Sequence, residues 1–284
     1  MLHRSTLQLL RFHFSLFLLP VYVFALSQLP AIDWRHAALA FCILHFLVYP
    51  ASNGYNSYMD RDQSPIGGLE KPLLPTRQLF TTTVLMDAAA LLLSFTISPL
   101  FAVGILFYII ASRAYSYRRI RLKQYPVLGF LTVFVFQGAV IFFITYHGCH
   151  PAQPLSVPWL PCLISSLLIG ALYPLTQIYQ HEEDRADGVL TLSCLLGKRG
   201  TFVFSAALFL LANVCLYLLF QGRHERGNFY LFTALTFPVV LFFCYWMVLV
   251  WRNEAAADFK NSLRMNVVST LCTLAFFSTL LITR

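Results

Sequence analysis

Ser52, Asn53, Asn56 and Asp60 are the residues whose types and spacing most directly suggest chemistry in this 284-residue chain. Ser52, Asn56 and Asp60 stand four apart and Asn53 lies three before Asn56, so on a helix their oxygens stack along one face. They occur where a long apolar run ends, in the stretch Ser52-Asn53-Gly54-Tyr55-Asn56-Ser57-Tyr58-Met59-Asp60-Arg61-Asp62. A line of amide and carboxylate oxygens there fits a cation site that faces a bundle interior. A second polar stretch runs from Gln177 to Gly188. Gln177, Gln180 and Asp184 follow helical spacing in it, with Glu183 and Asp187 in the neighbouring row. Between the two stretches, Arg113, Arg118, Arg119, Arg121 and Lys123 place five cations in eleven residues. That density suits a polyanion such as a diphosphate, because Arg grips phosphate oxygens in a fork and Lys acts as a point charge. The same cations also serve as anchors at a lipid surface.

These residues need a scaffold, and the composition says which kind. Hydrophobic residues make up 58% of the chain and charged residues 11%, with mean hydropathy +0.68. A soluble domain carries about 25% charged residues, so this chain has too little polar surface for a soluble body of its size. It reads as an integral, multi-pass membrane protein: an all-α bundle of about nine transmembrane helices in a single domain, 1–284. The expected spans are 12–28, 37–59, 79–97, 100–115, 128–146, 160–179, 202–220, 229–251 and 265–282. The short loops favour antiparallel neighbours. Arg4 and Arg11 before an apolar run imitate a signal peptide, but in a polytopic chain the first span itself serves for insertion.

With the N-terminus in the cytoplasm, sixteen of the 20 Lys and Arg fall on the cytoplasmic side; only Arg35, Arg223, Arg226 and Arg284 fall outside. Both polar stretches and the basic segment then share the cytoplasmic face; in a bacterium the membrane would be the inner one. The net charge of +8 is thus topology first. A nucleic-acid role is not expected, because the basic residues are divided among short loops. The seven cysteines form no CxxC pair and behave mostly as small hydrophobes. His147-Gly148-Cys149-His150 reads as a polar outer loop rather than a metal cluster. Asp87, the one acid deep in an apolar run, is read as hydrogen-bonded to a Tyr or Ser of a neighbouring helix in preference to a proton relay.

Carboxylates and amide oxygens bind Mg²⁺, which keeps waters and bridges to substrate phosphates. Mg²⁺ together with Arg and Lys stabilises charge developing on a departing diphosphate. An allylic diphosphate leaves a carbocation, which Tyr and Phe faces stabilise and a dry pocket protects from water. The reaction so described is Mg²⁺-dependent transfer of a prenyl group from a prenyl diphosphate to a lipophilic acceptor, an aromatic one being favoured, within the lipid membrane.

The chain resembles the UbiA superfamily of intramembrane prenyltransferases, which has nine transmembrane helices and two acidic motifs of the forms NDxxDxxxD and DxxxD. The first corresponds to Ser52 through Asp60, followed by Pro65 and Lys71-Pro72. The second corresponds to Gln180-His181-Glu182-Glu183-Asp184, followed by Arg185, Gly188 and Thr191-Leu192. Tyr115-Ser116 and Arg121-Leu122-Lys123 match the family's YS…RLK segment. The resemblance implies that Asp60 and Asp184 act through Mg²⁺ on the diphosphate, with Asn56 and Gln180 completing the metal site. It implies that Arg121 and Lys123 hold phosphate oxygens, in a diphosphate site with Asn53, Asn56 and Tyr115; Lys71 is a looser match. Asp62, Glu183 and Asp187 are supplementary ligands by proximity alone.

Asn56 and Gln180 stand where the family usually has Asp. Each still offers a neutral oxygen, but two formal negative charges are lost, which should weaken Mg²⁺ binding. An alternative follows from that loss: a non-catalytic prenyl-lipid binding or transport protein on the same fold. An ion-coupled transporter working through Asp87 is disfavoured, because the chain lacks paired broken helices and repeated halves.

Overall fold

The computed structural model describes residues 2–283; Arg284, expected outside, falls beyond them. Nine long helices follow in order: α1 Arg4–Ser27, α2 Trp34–Asp60, α3 Arg77–Ser94, α4 Pro99–Ser116, α5 Pro126–Cys149, α6 Trp159–Thr176, α7 Leu192–Gly222, α8 Arg226–Arg252 and α9 Phe259–Ile282. Each packs on the next, and α9 returns to α1, so the helices close into a ring around internal space. Eight of them are long and apolar enough to cross a membrane. The ninth expected span is α3, which is helical as expected but more polar, with Arg77, three successive threonines and Asp87.

Asp87 forms an ion pair with Arg113 of α4, whose guanidinium also stands over the Tyr55 ring at 3.9 Å and donates to the Thr83 carbonyl at 3.2 Å. The acid's partner is thus an arginine rather than the expected Tyr or Ser, in an interhelical clamp joining α2, α3 and α4. The expectation of a polar loop at residues 147–150 is corrected: His147 and Cys149 are buried in the last turns of α5. His147 bonds the Ser98 hydroxyl at 2.9 Å and the Pro154 carbonyl at 3.0 Å, so its polarity is satisfied inside the bundle rather than by water.

Several helices depart from α geometry along their length. α1 breaks at Arg11, whose backbone is left-handed, so the span expected from residue 12 begins directly after the break. α2 winds as a π-helix over Ile43–Val48, just before Pro50. Proline has no N–H to return to the preceding turn, and the widened turn accommodates that loss. α5 has a second π segment, Phe134–Val140, and α6 tightens to a 3-10 turn over Tyr173–Thr176. One extra residue in a π turn rotates the side chains beyond it by about 100°. The irregular turns of α1, α5 and α6 carry residues of the polar cavity described next.

Candidate active site at the acidic helix ends

α2 ends at Asp60, and its polar face meets α4 side by side. Ser52 Oγ lies 2.6 Å from Ser112 Oγ, and Asn56 Nδ2 donates to Ser116 Oγ at 2.9 Å. Asp184 belongs to a short helix, His181–Ala186, that follows α6. Asn53, Asn56, Asp60, Tyr115, Lys123, Gln180 and Asp184 all line one cavity of about 180 Å³. The two motifs and the basic segment, more than a hundred residues apart at their extremes, thus face common space.

Charge in this cavity is already partnered. Lys123 Nζ lies 2.5 Å from Asp60 Oδ2, and Arg121 reaches Asp60 Oδ1 at 3.6 Å. Arg121 is buried, with a left-handed backbone, and also holds Asp187 through its carboxylate and its carbonyl, the latter at 2.9 Å. Arg121 lies behind Asp60 rather than on the cavity wall. Asp187 joins Arg121 and Arg118 (3.5 Å) instead of facing the cavity. Burial alone would raise the Asp187 carboxyl, but Arg121 holds it below the usual carboxylate range. Burial, reinforced by Asp60, Asp62 and Glu183 against the opposing pull of Lys123, pushes Asp184 up to about 7. Burial and Asp60 push Asp62 up to about 6.

The long segment 61–76 folds across the cavity. Ile66 and Gly67 line it; the Pro65 carbonyl accepts from Gln180 Nε2 at 3.2 Å; Ser64 hydrogen-bonds Glu183. A Cβ on Gly67 would lie 2.7 Å from the Phe14 ring, so any larger residue would have to displace that ring for the loop to close on α1. The loop therefore ties the first motif to the second. Lys71 is not brought to the site: it is exposed on the loop, where its carbonyl accepts from Gln8.

Three residues that the sequence reading passed over line the cavity. Arg11, buried, donates to the Gly67 carbonyl at 3.0 Å and the Asn53 carbonyl at 3.2 Å. Tyr173 shares a hydroxyl contact with Tyr115 and accepts from Gln177 Nε2 at 3.0 Å. Gln137 projects from the π segment of α5. Arg11 looked like a topological anchor, and only its isolation inside an apolar run could have flagged it.

The donor chemistry suits Mg²⁺ with a bound phosphate better than Mg²⁺ alone. Asp60 Oδ1, Asp184 Oδ2 and Gln177 Oε1 are buried with no hydrogen-bond partner. Orphaned oxygens of this kind cost stability unless something else binds them. Yet among the described residues no three of His, Cys, Asp and Glu converge as a ready-made metal site. One or two carboxylates, amide oxygens, water and substrate phosphate are the usual coordination of Mg²⁺, and this cavity supplies the protein's share.

A ring of apolar helices around a buried cavity of paired acids and bases defines a multi-pass membrane protein with an internal polar site. Residues 16–269 match the UbiA prenyltransferase family, and the chain belongs to that family. Similar solved structures include an apo UbiA homologue from Aeropyrum pernix K1, with TM-score 0.71 and 19% identity over 95% of this chain and 98% of that one. A UbiA homologue from Archaeoglobus fulgidus bound to DMAPP and Mg²⁺ has TM-score 0.68 and 17% identity over 99% and 100% of the two chains. A structure concerned with digeranylgeranylglyceryl phosphate synthase has TM-score 0.62 and 18% identity over 98% of each. At these identities the likeness is one of fold. No curated protein matches the chain.

Proposed function

We propose that the chain transfers a prenyl group from a prenyl diphosphate to a lipophilic acceptor, an aromatic one being favoured, with Mg²⁺ as cofactor. The observation that carries this is the meeting of Asp60, Asp184 and Lys123 on one cavity, with a buried oxygen on each carboxylate that accepts no hydrogen bond. Solved homologues hold DMAPP or GPP together with Mg²⁺. Asn56, Asp60, Gln180 and Asp184 would hold the ion, which when bound offsets the charge that develops on the leaving diphosphate. Lys123 holds phosphate oxygens, Arg121 backs Asp60 from outside the cavity wall, and Asn53, Tyr115 and Arg11 border the same space.

The C1–oxygen bond of the donor breaks with its electron pair going to diphosphate. Tyr108, Tyr115, Tyr173 and Phe136 border the cavity and offer ring faces to the allylic cation. The acceptor forms the new bond at C1 and gives up one proton, which the released diphosphate takes. The polar cavity and the N-terminus face the cytoplasm, following the basic residues around them.

The test is release of pyrophosphate in nanodiscs from dimethylallyl or geranyl diphosphate with a membrane-lipid extract as acceptor. Release should require Mg²⁺ and fall at least about a hundredfold in Asp60→Ala and Asp184→Ala, with both variants folded. Normal turnover in both would refute the site. Asn56 and Gln180 favour a second reading, a prenyl-lipid carrier without turnover. It predicts saturable prenyl-lipid binding with no pyrophosphate released, and no missing prenylated lipid in a deletion strain.

A further inference from the structure

Asp60 and Asp184 reach the polar cavity in different ways. Asp60 closes a long helix and is fastened there by Lys123 and Arg121. Asp184 has no such support: among the described residues no hydrogen bond or ion pair reaches its carboxylate. It sits on a helix of six residues, His181–Ala186. A helix shorter than about 12 residues does not stand by itself. The direction of the Asp184 carboxylate therefore depends on what fastens this short helix to the rest of the molecule.

Two of its tethers lead to connecting segments. Gln180 and Glu183 bond the loop 61–76, through the Pro65 carbonyl and Ser64. Asp187, just beyond the helix, pairs with Arg118 and Arg121 of the basic segment. The third tether, His181, leads to the spanning helix α7. His181 is 5% exposed and does not line the cavity. Its Nε2 lies 2.7 Å from Ser193 Oγ, which lies 3.0 Å from Thr201 Oγ1, and both hydroxyl residues are fully buried.

Between Ser193 and Thr201, α7 kinks at Gly197, whose φ of 69° and ψ of 173° are not helical. Thr201 gives its single proton to a carbonyl, that of Gly197 at 2.7 Å or that of Ser193 at 3.3 Å. Thr201 then accepts from Ser193, and Ser193 accepts from His181, because each hydroxyl has one proton to give. The direction of the row is thereby fixed, with His181 as the donor at Nε2. Without that donor, buried Ser193 loses its partner on the side of the short helix.

We propose that His181 is a positioning residue for Asp184. Through Ser193 and Thr201 it fixes the short helix against the kink of α7, and so holds at the cavity wall a carboxylate that has no support of its own. His181 touches neither ion nor substrate; it acts on Mg²⁺ affinity through Asp184. That effect rests on the reading of Asp184 as a Mg²⁺ ligand, whereas the hold on the helix does not.

The test is calorimetry of Mg²⁺ in the presence of pyrophosphate, on the full chain in detergent, with hydrogen exchange over residues 180–187. Removing a group that orients a metal ligand costs about 10- to 100-fold in affinity, and His181→Leu should lose that much, with faster exchange. His181→Gln, which keeps an N–H at similar reach, should stay within about twofold of the native affinity and exchange as the native chain does. In Asp184→Ala, adding His181→Leu should change Mg²⁺ affinity no further, because two residues that act through one ligand are not additive. If His181→Leu does not fold, Thr201→Val, which keeps the volume and removes the end of the row, should still weaken Mg²⁺ about threefold. Native affinity in the folded variant, failure of His181→Gln to rescue, or a full additional loss on top of Asp184→Ala overturns the proposal. Native Mg²⁺ affinity in Asp184→Ala itself refutes the metal reading, and faster exchange in His181→Leu that His181→Gln reverses supports the hold on the helix even then.

Discussion

Lys123 Nζ stands 2.5 Å from Asp60 Oδ2, with both side chains nearly buried. The cation suited to phosphate and the carboxylate suited to Mg²⁺ neutralise one another. Either ligand arriving alone would have to break this pair and strand one charge, which is costly in a buried site. Together they let the pair exchange partners, Lys123 to phosphate and Asp60 to the ion. Mg²⁺ affinity measured by calorimetry should therefore tighten about tenfold or more when pyrophosphate is present. The coupling should disappear in Lys123→Met. Identical Mg²⁺ affinities with and without pyrophosphate would contradict the exchange.

The two substituted motif positions should respond differently to restored acids. Asn56 uses its amide only to donate to Ser116, whose hydroxyl can reverse and donate to a carboxylate. Asn56→Asp should therefore raise Mg²⁺ affinity about tenfold, or about 1.4 kcal/mol, without loss of stability. Gln180 uses its amide to hold the Pro65 carbonyl. Gln180→Asp removes that tether and should loosen segment 61–76, at a cost of about 1 kcal/mol, offsetting its added charge. Hydrogen exchange over 61–76 separates the two variants: faster in Gln180→Asp, unchanged in Asn56→Asp.

Arg11 ties α1 to the loop and to α2 through the Gly67 and Asn53 carbonyls. Arg11→Met keeps most of the apolar stem but strands both carbonyls. Limited proteolysis within 61–76 should accelerate, and the apparent affinity for pyrophosphate should fall about tenfold. Unchanged proteolysis would mean that the loop closes without this clamp.

Asp87 and Arg113 are largely buried, at 15% and 19% side-chain exposure, and join α3 to α4. Asp87→Ala should destabilise the protein by about 3 kcal/mol, because Arg113 is left without its counter-charge. The paired change Asp87→Leu/Arg113→Met should recover most of that loss. Thermal melts in detergent read both. A proton-relay role would instead predict that Asp87→Asn melts normally.

Helix number, order and apolar faces were legible in the sequence because membrane spans announce themselves by length and hydropathy, independent of packing. α3 was legible too, although Asp87 makes it more polar than its neighbours. Residues 147–150 misled, because a His and a Cys in sequence look like a loop until a neighbouring helix supplies Ser98 as partner.

Spacing singled out the polar stretches, since helical periodicity puts Ser52, Asn56 and Asp60 on one face wherever the helix sits, and the family resemblance assigned the roles of Asp60, Asp184, Arg121 and Lys123. Which of them share space was decided only by tertiary structure. Closing the ring set Lys123 against Asp60 and left Lys71 exposed on the loop. It also turned Arg11 from an apparent anchor into a buried clamp. Local pattern fixes what a side chain can do and which way its own helix presents it. Partnership between charges depends on distances of a few ångströms between segments remote in sequence, and only the packed bundle sets those.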